Sequence, residues 1–82
     1  MSVCEEIAKS IMDLASKLTE AQLARGVHPS EIKRQLEVLM ELARLTLEKS
    51  GCPVQLDGLK QLIDEADEDS RELEEAARAV KG

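Results

Sequence analysis

The sequence predicts one all-α domain over residues 1–82, folded as an up-down-up antiparallel three-helix bundle. Three stretches repeat apolar residues at intervals of three and four, which is the spacing of one helix face. Two breaks that contain glycine and proline separate these stretches. Connections this short place successive helices side by side and antiparallel, and the length of the chain suits one domain.

The first helix is predicted over about residues 3–25. Ser2 and Glu5 match a capping box, in which a serine and a glutamate satisfy the first backbone N–H groups of a helix. Gly26 follows the last turn, where a left-handed backbone favours glycine. The apolar stripe that we expect to face the core consists of Val3, Ile7, Ile11, Leu14, Leu18 and Ala21.

The second helix is predicted over about residues 29–50. Pro29 suits the first helical position, where no N–H group is needed, and this makes His28 the N-cap. Val27 and Ile32 have the spacing of a hydrophobic staple across that cap. The main apolar stripe consists of Ile32, Leu36, Leu39, Ala43 and Leu47.

Gly51 ends the second helix, and the third is predicted over about residues 53–80 or 57–80. Asp57 is the better capping residue. The earlier start is slightly preferred, because the apolar periodicity already includes Leu56. The stripe consists of Leu56, Leu59, Ile63, Ala66, Ser70, Leu73, Ala77 and Val80.

The two cysteines occupy matching ends of the first two helices. Cys4 lies in the first turn of the first helix, and Cys52 follows the second helix. In an antiparallel pair these positions lie at the same end, so a Cys4–Cys52 disulfide is predicted. The alternative is two free, partly buried thiols.

Composition excludes several classes of function. The net charge of −6 opposes nucleic-acid binding, which gains its affinity from basic side chains that displace counterions. No apolar run reaches the 18 or so residues that span a bilayer. The first ten residues carry acids where a signal peptide carries bases. We therefore expect a soluble protein without its own export signal, whose location in the cell stays open, and no nucleic-acid or membrane partner.

Few side chains could perform catalysis or bind a metal. His28 is the only histidine, and about one helix length, roughly 30 Å, separates it from each cysteine. That distance argues against a Cys–His nucleophile pair and against a zinc site, whose ligands must converge. The carboxylates of the third helix are expected on a solvated face. We expect no catalytic residue, no metal site and no cofactor.

The second helix has more apolar residues than a core stripe somewhat over 100° wide requires. A second apolar cluster lies about a third of a turn from the main stripe, and the first helix has a smaller surplus. These residues either widen the core or form an exposed ridge for a partner or a second copy. The predicted contact residues are Val38, Leu42 and Leu45, flanked by Arg34, Glu41 and Lys49, with Met12 and Leu23 as second choices.

Taken together, these features resemble a computationally designed three-helix-bundle miniprotein rather than a natural family. The resemblance is carried by the near-equal helices, the capping box, the Gly26 to Pro29 break, Gly51 and the cysteine pair. It implies a binder, an epitope scaffold or a bare test of a fold. We expect a non-enzymatic helical module or scaffold that presents its second helix to a partner protein, as a monomer or weak homodimer. The alternatives are a structural bundle without a ligand and a self-associating helical dimer.

Overall fold

A computed structural model describes residues 2–81, which contain three α-helices and no strand. These are α1 (Val3–Ala24), α2 (Pro29–Lys49) and α3 (Asp57–Lys81). The three helices pack against one another. The predicted all-α class and three-helix bundle are confirmed.

Ser2, His28 and the two glycines act at the ends of α1 and α2 as predicted, and of the capping box the structure shows the serine half. Ser2 Oγ accepts a hydrogen bond from the backbone N–H of Glu5 at 3.1 Å, and His28 Nδ1 accepts one from the backbone N–H of Ser30 at 3.1 Å. Gly26 and Gly51 have φ angles of +78° and +71°. Only glycine enters that region without a steric cost, so each of these helices ends where its sequence requires it to end.

The preferred early start of the third helix is wrong. Helix α3 begins at Asp57, and its first turn is closed by the N–H of Lys60, which donates to Leu56 O at 2.9 Å. Leu56 nevertheless packs against the core. Its place in the apolar pattern therefore reflects burial from an irregular segment, and periodicity alone does not distinguish that from helical backbone.

The core lies where all three helices overlap. Helix α1 buries only Ala15, whereas α2 buries several large aliphatic side chains. A small residue at this point allows α1 to approach its neighbours closely. The central cluster consists of Ala15, Ile32, Leu36, Leu59, Ile63 and Ala66.

Specific contacts define which parts of the helices are neighbours. The predicted Cys4–Cys52 disulfide is present, with the two Cα atoms 5.5 Å apart, and it ties the start of α1 to the segment after α2. Near the end of α1, Gln22 Nε2 donates to Gln35 Oε1 at 3.0 Å. These contacts place the first turn of α1 beside the end of α2, and the last turns of α1 beside the second turn of α2.

Helix α3 is displaced along the bundle relative to the other two helices. Its second residue, Gly58, lies beside Met12, three turns into α1, and residues 71–80 are all exposed. The molecule is 53 Å long and only 19 by 16 Å across. Leu73 and Val80 were predicted for the core but are exposed, because the last turns of α3 extend beyond the ends of its neighbours.

Candidate docking face on helices 1 and 2

The three residues predicted to form a ridge on α2 lie at the surface. Val38, Leu42 and Leu45 are 62%, 57% and 43% exposed. They therefore do not widen the core. Isolated exposed apolar residues are normal on proteins, but a group on one face requires an explanation.

The two second-choice residues on α1 do not join this ridge. Met12 is half-buried against the core, and a Cβ placed at Gly58 would lie 3.0 Å from its Sδ. The absence of a side chain at Gly58 leaves space for Met12, so Met12 widens the core, which is one of the two alternatives that the sequence left open. Leu23 is exposed, but it borders a small depression with Leu62 and Ala66 of α3 and lies away from the ridge.

Two residues of the predicted α1 core stripe are instead exposed. Val3 and Leu14 lie at the surface, while Ala15, which was outside that stripe, is fully buried. At about 100° per residue, Val3, Ile7 and Leu14 lie within about 40° of one another on α1. The buried side of α1 is thus rotated relative to the prediction, and large side chains remain on its outer side.

A groove runs between the first half of α1 and the second half of α2. Its volume is about 440 Å³. Ala43, which is buried, belongs to its lining, so a small side chain leaves room between the two helices. The lining consists of Val3, Glu6, Ile7, Ser10, Ile11, Leu39, Leu42, Ala43 and Thr46.

The groove and the ridge form one continuous surface, because Leu42 belongs to both. Thr46, which also lines the groove, donates from its Oγ1 to Leu42 O at 2.8 Å, and this satisfies its hydroxyl group. We call this surface the α1/α2 face. It comprises Val3, Ile7 and Leu14 of α1, Val38, Leu39, Leu42 and Leu45 of α2, and the groove between the helices.

Helix α3 lies on the other side of α2. Lys33 Nζ is 2.9 Å from Asp67 Oδ1 of α3. Leu42 is nine residues after Lys33, and nine steps of about 100° amount to half a turn. Leu42 therefore points away from α3, which agrees with the absence of any α3 residue from the lining of the groove.

Several charged residues beside the ridge form ion pairs with other residues of α2. Arg34 pairs with Glu31 at 2.9 Å, and Arg44 pairs with both Glu41 and Glu48. The two carboxylates stabilise the guanidinium and raise the pKa of Arg44. Pairs this exposed contribute little to stability, so they can exchange partners at low cost when another charge approaches.

Other charged residues on the outer surface have no such partner. Within residues 2–80, no ion pair involves Lys49 or a charged side chain of α1. On the opposite side, Lys33 and Arg71 donate to Asp67 and lower the pKa of its carboxyl group. Most charged residues of α2 are thus paired within the chain, whereas α3 contributes only Asp67 and Arg71 to ion pairs and α1 contributes none among the described residues.

Outside the α1/α2 face, the described residues contain neither a cluster of metal ligands nor a helix that could span a membrane. No three His, Cys, Asp or Glu side chains between residues 2 and 80 approach closely enough to hold a metal ion. None of the three helices is long and apolar enough to cross a membrane. Comparisons with protein-family models, curated proteins and solved structures found no match.

Proposed function

We propose that this chain is a non-enzymatic helical protein-binding module, and that the α1/α2 face is the surface it presents to a partner protein. One observation carries the proposal: five large aliphatic side chains on this face are exposed together. Contiguous apolar patches beyond a few hundred Å² usually mark interaction sites on monomers. The five residues are Val3, Leu14, Val38, Leu42 and Leu45.

We infer an up-down-up antiparallel arrangement of the helices as the framework of this surface. Two contacts support it. The Cys4–Cys52 disulfide joins the start of α1 to the end of α2, and the Gln22–Gln35 hydrogen bond joins the end of α1 to the start of α2. The α1/α2 face then consists of two antiparallel helices side by side, with a continuous groove between them.

Such a surface suits a partner that presents an amphipathic helix. Apolar side chains at intervals of three and four on that helix would enter the groove above Ala43 and contact Leu42 at the border between groove and ridge. Full burial of an aliphatic side chain contributes about 1.5–3 kcal/mol, and these residues are already about half covered. Because association itself is costly and the face has no aromatic anchor, we expect micromolar rather than nanomolar affinity.

A fluorescent amphipathic helix of about 18 leucine and lysine residues provides a defined probe for the proposal. We expect its fluorescence anisotropy to report binding to the wild type. L42E should weaken that binding at least about tenfold, because a carboxylate would have to be buried in the groove.

A matched control is L73E, because Leu73 is 50% exposed and Leu42 is 57% exposed, but Leu73 lies on the distal part of α3. Both variants change the net charge equally. L73E should bind the probe as the wild type does, and both variants should keep their stability within about 0.5 kcal/mol. Equal binding by the two variants would refute the proposed face, and a large loss of stability in L42E would assign Leu42 to the core.

We also propose that the chain is a designed scaffold, on the strength of the resemblance described above. Its local signals agree with its structure at both described caps and at both glycine termini, and such consistency is what design rules aim for. A purely structural bundle remains the competing function. It predicts that Val38 and Leu45 tolerate charged residues with no effect on any association.

A further inference from the structure

We infer that the partner of the α1/α2 face is a second copy of this chain, packed so that α1 of each copy lies over α2 of the other. This inference rests on the proposed function, since it names the occupant of the same face. The two copies would together form a four-helix core from two α1 and two α2 helices. Three observations support it: the size of the face, the position of the acidic helix and the order of the charges along its edges.

The size of the face suits a dimer. Helices α1 and α2 contain 22 and 21 residues, so each is about 32 Å long, and two packed helices are about 20 Å wide. The layer therefore offers roughly 640 Å², close to the 800 Å² or so that each partner buries in a stable interface. The exposed end of α3, about 15 Å long and one helix wide, offers about a quarter of that area.

The position of α3 keeps its charge away from such an interface. From residue 57 onward the chain has nine acids and four bases, a net charge of −5, while the preceding residues have eight acids and seven bases, a net charge of −1. Leu42 points away from α3, as the position of Lys33 shows. Two copies joined through the α1/α2 face therefore hold their acidic helices on opposite outer surfaces, beyond the screening length of about 8 Å.

Two contacts set the heights of residues along the bundle. The Cys4–Cys52 disulfide and the Gln22–Gln35 hydrogen bond each join residues whose numbers total about 57. An α1 residue is thus roughly level with the α2 residue whose number, added to its own, gives about 57. The heights show which charges on the outer edges of the two helices face one another across a symmetric interface.

Two positions on the outer edge of α1 are level with opposite charges on the outer edge of α2, to within about one helical turn. Within one chain these edges lie on opposite sides of the face, and no ion pair joins α1 to α2 in the described residues. Rotation of a second copy by half a turn about an axis parallel to the helices brings each α1 edge beside the other copy's α2 edge at the same height. The matched pairs are Lys17 with Glu41, and Glu20 with Arg34.

Equilibrium sedimentation of the oxidised, full-length chain tests the inference. We expect a reversible monomer–dimer equilibrium between about 10 µM and 1 mM, the range of a weak interface. L42E should be monomeric throughout this range, whereas the matched control L73E should dimerise as the wild type does. A strictly monomeric wild type would overturn the inference.

A mixing experiment tests the relative placement of the copies. E20R alone and R34E alone each put two repulsive pairs into the symmetric dimer, so each should dimerise at least about tenfold more weakly than the wild type. In an equimolar mixture, the arginine introduced by E20R meets the glutamate introduced by R34E, and the unchanged Arg34 of the first variant meets the unchanged Glu20 of the second. Dimerisation should return, and this recovery cannot arise from folding because each variant folds separately. Failure of the mixture to recover would overturn the placement of α1 over α2.

The peptide and sedimentation assays separate failure of this inference from failure of the proposed function. A monomeric wild type that still binds the amphipathic probe through Leu42 overturns the second copy and leaves a different protein as the partner. A monomer that does not bind the probe overturns both proposals. A dimer that persists in L42E places its contact elsewhere and overturns the inference.

Discussion

Removal of the Cys4–Cys52 disulfide should cost this chain a large part of its stability. The bond closes a loop with a sequence separation of 48. In the chain-entropy description, closing a loop of that size in the unfolded state contributes about 4 kcal/mol at 25 °C. A domain of this length has only about 4–12 kcal/mol of stability in total, so the loss is between about a third and the whole of it.

The structure shows why removal of the disulfide should destabilise α1 most. Ala15 is the only buried residue of α1, and α3 begins beside Met12, so no turn of α3 covers the first turns of α1. The disulfide holds those turns to the end of α2. We therefore expect the C4A/C52A variant to lose about 4 kcal/mol of unfolding free energy and roughly 20 °C or more of melting temperature.

Urea unfolding followed by circular dichroism, with and without a thiol reductant, measures the effect. The reductant should destabilise the wild type and leave C4A/C52A unchanged, which separates the bond from nonspecific effects of the reagent. Hydrogen exchange should increase first in α1. A loss below about 1 kcal/mol would refute the loop-entropy reasoning, and a larger increase of exchange in α3 than in α1 on removal of the bond would refute the account of where the bond acts.

Three further predictions test the core, an ion pair and the helix stagger. Leu36→Ala should lower the free energy of unfolding by about 2–5 kcal/mol, because Leu36 is fully buried; a loss below about 1 kcal/mol in urea titrations would contradict that burial. The hydrogen bond from Lys33 lowers the pKa of Asp67 in the folded state, so its stabilising effect is present at neutral pH and disappears as the pH falls through that lowered pKa. Asp67→Asn should therefore be less stable than the wild type at pH 7 and converge with it in acid; a difference independent of pH would contradict this. Gly58→Ala should be neutral or stabilise α3 by less than about 1 kcal/mol, because the flexible end of Met12 can move away from the new methyl group; a clear loss of melting temperature would show that Met12 is fixed.

The helix ends were predictable from the sequence because their causes are local. The caps at Ser2 and His28 and the left-handed glycines at positions 26 and 51 each act within a few residues. The disulfide followed from the same local assignments once the two helices were taken as antiparallel. These predictions did not require knowledge of how far one helix slides along another.

That displacement is what the sequence did not show. Apolar periodicity gives the face of a helix but not its position along a neighbour, so the start of α3 was misplaced and Leu73 and Val80 were assigned to the core. The same limit explains why the burial of Ala15 was not predicted. A count of large apolar residues favours the side of α1 with Leu14, whereas close packing against two helices favours the small residue.

The candidate site was partly visible for a related reason. Val38 and Leu45 lie far around α2 from its main stripe, so helical angle alone separated them from that stripe, although it left open whether they widen the core or form an exposed ridge. Val3 and Leu14 lie within the broad α1 stripe, and the sequence does not show which part of a broad stripe two neighbours cover. The α1 half of the docking face was therefore missed.

The two exposed apolar surfaces of this molecule have different physical origins, and this decides which one we propose as the docking surface. The exposed end of α3 results from the displacement of one helix, so it is narrow and flanked by acids such as Glu72 and Glu74. The α1/α2 face exists because one helix can cover only one side of a two-helix layer. Its other side is as long as the helices themselves and lies on the part of the chain whose charges nearly balance. Only this side combines enough area with little electrostatic repulsion, which is why Leu42 and Leu73, similar in exposure, should respond so differently to the same substitution.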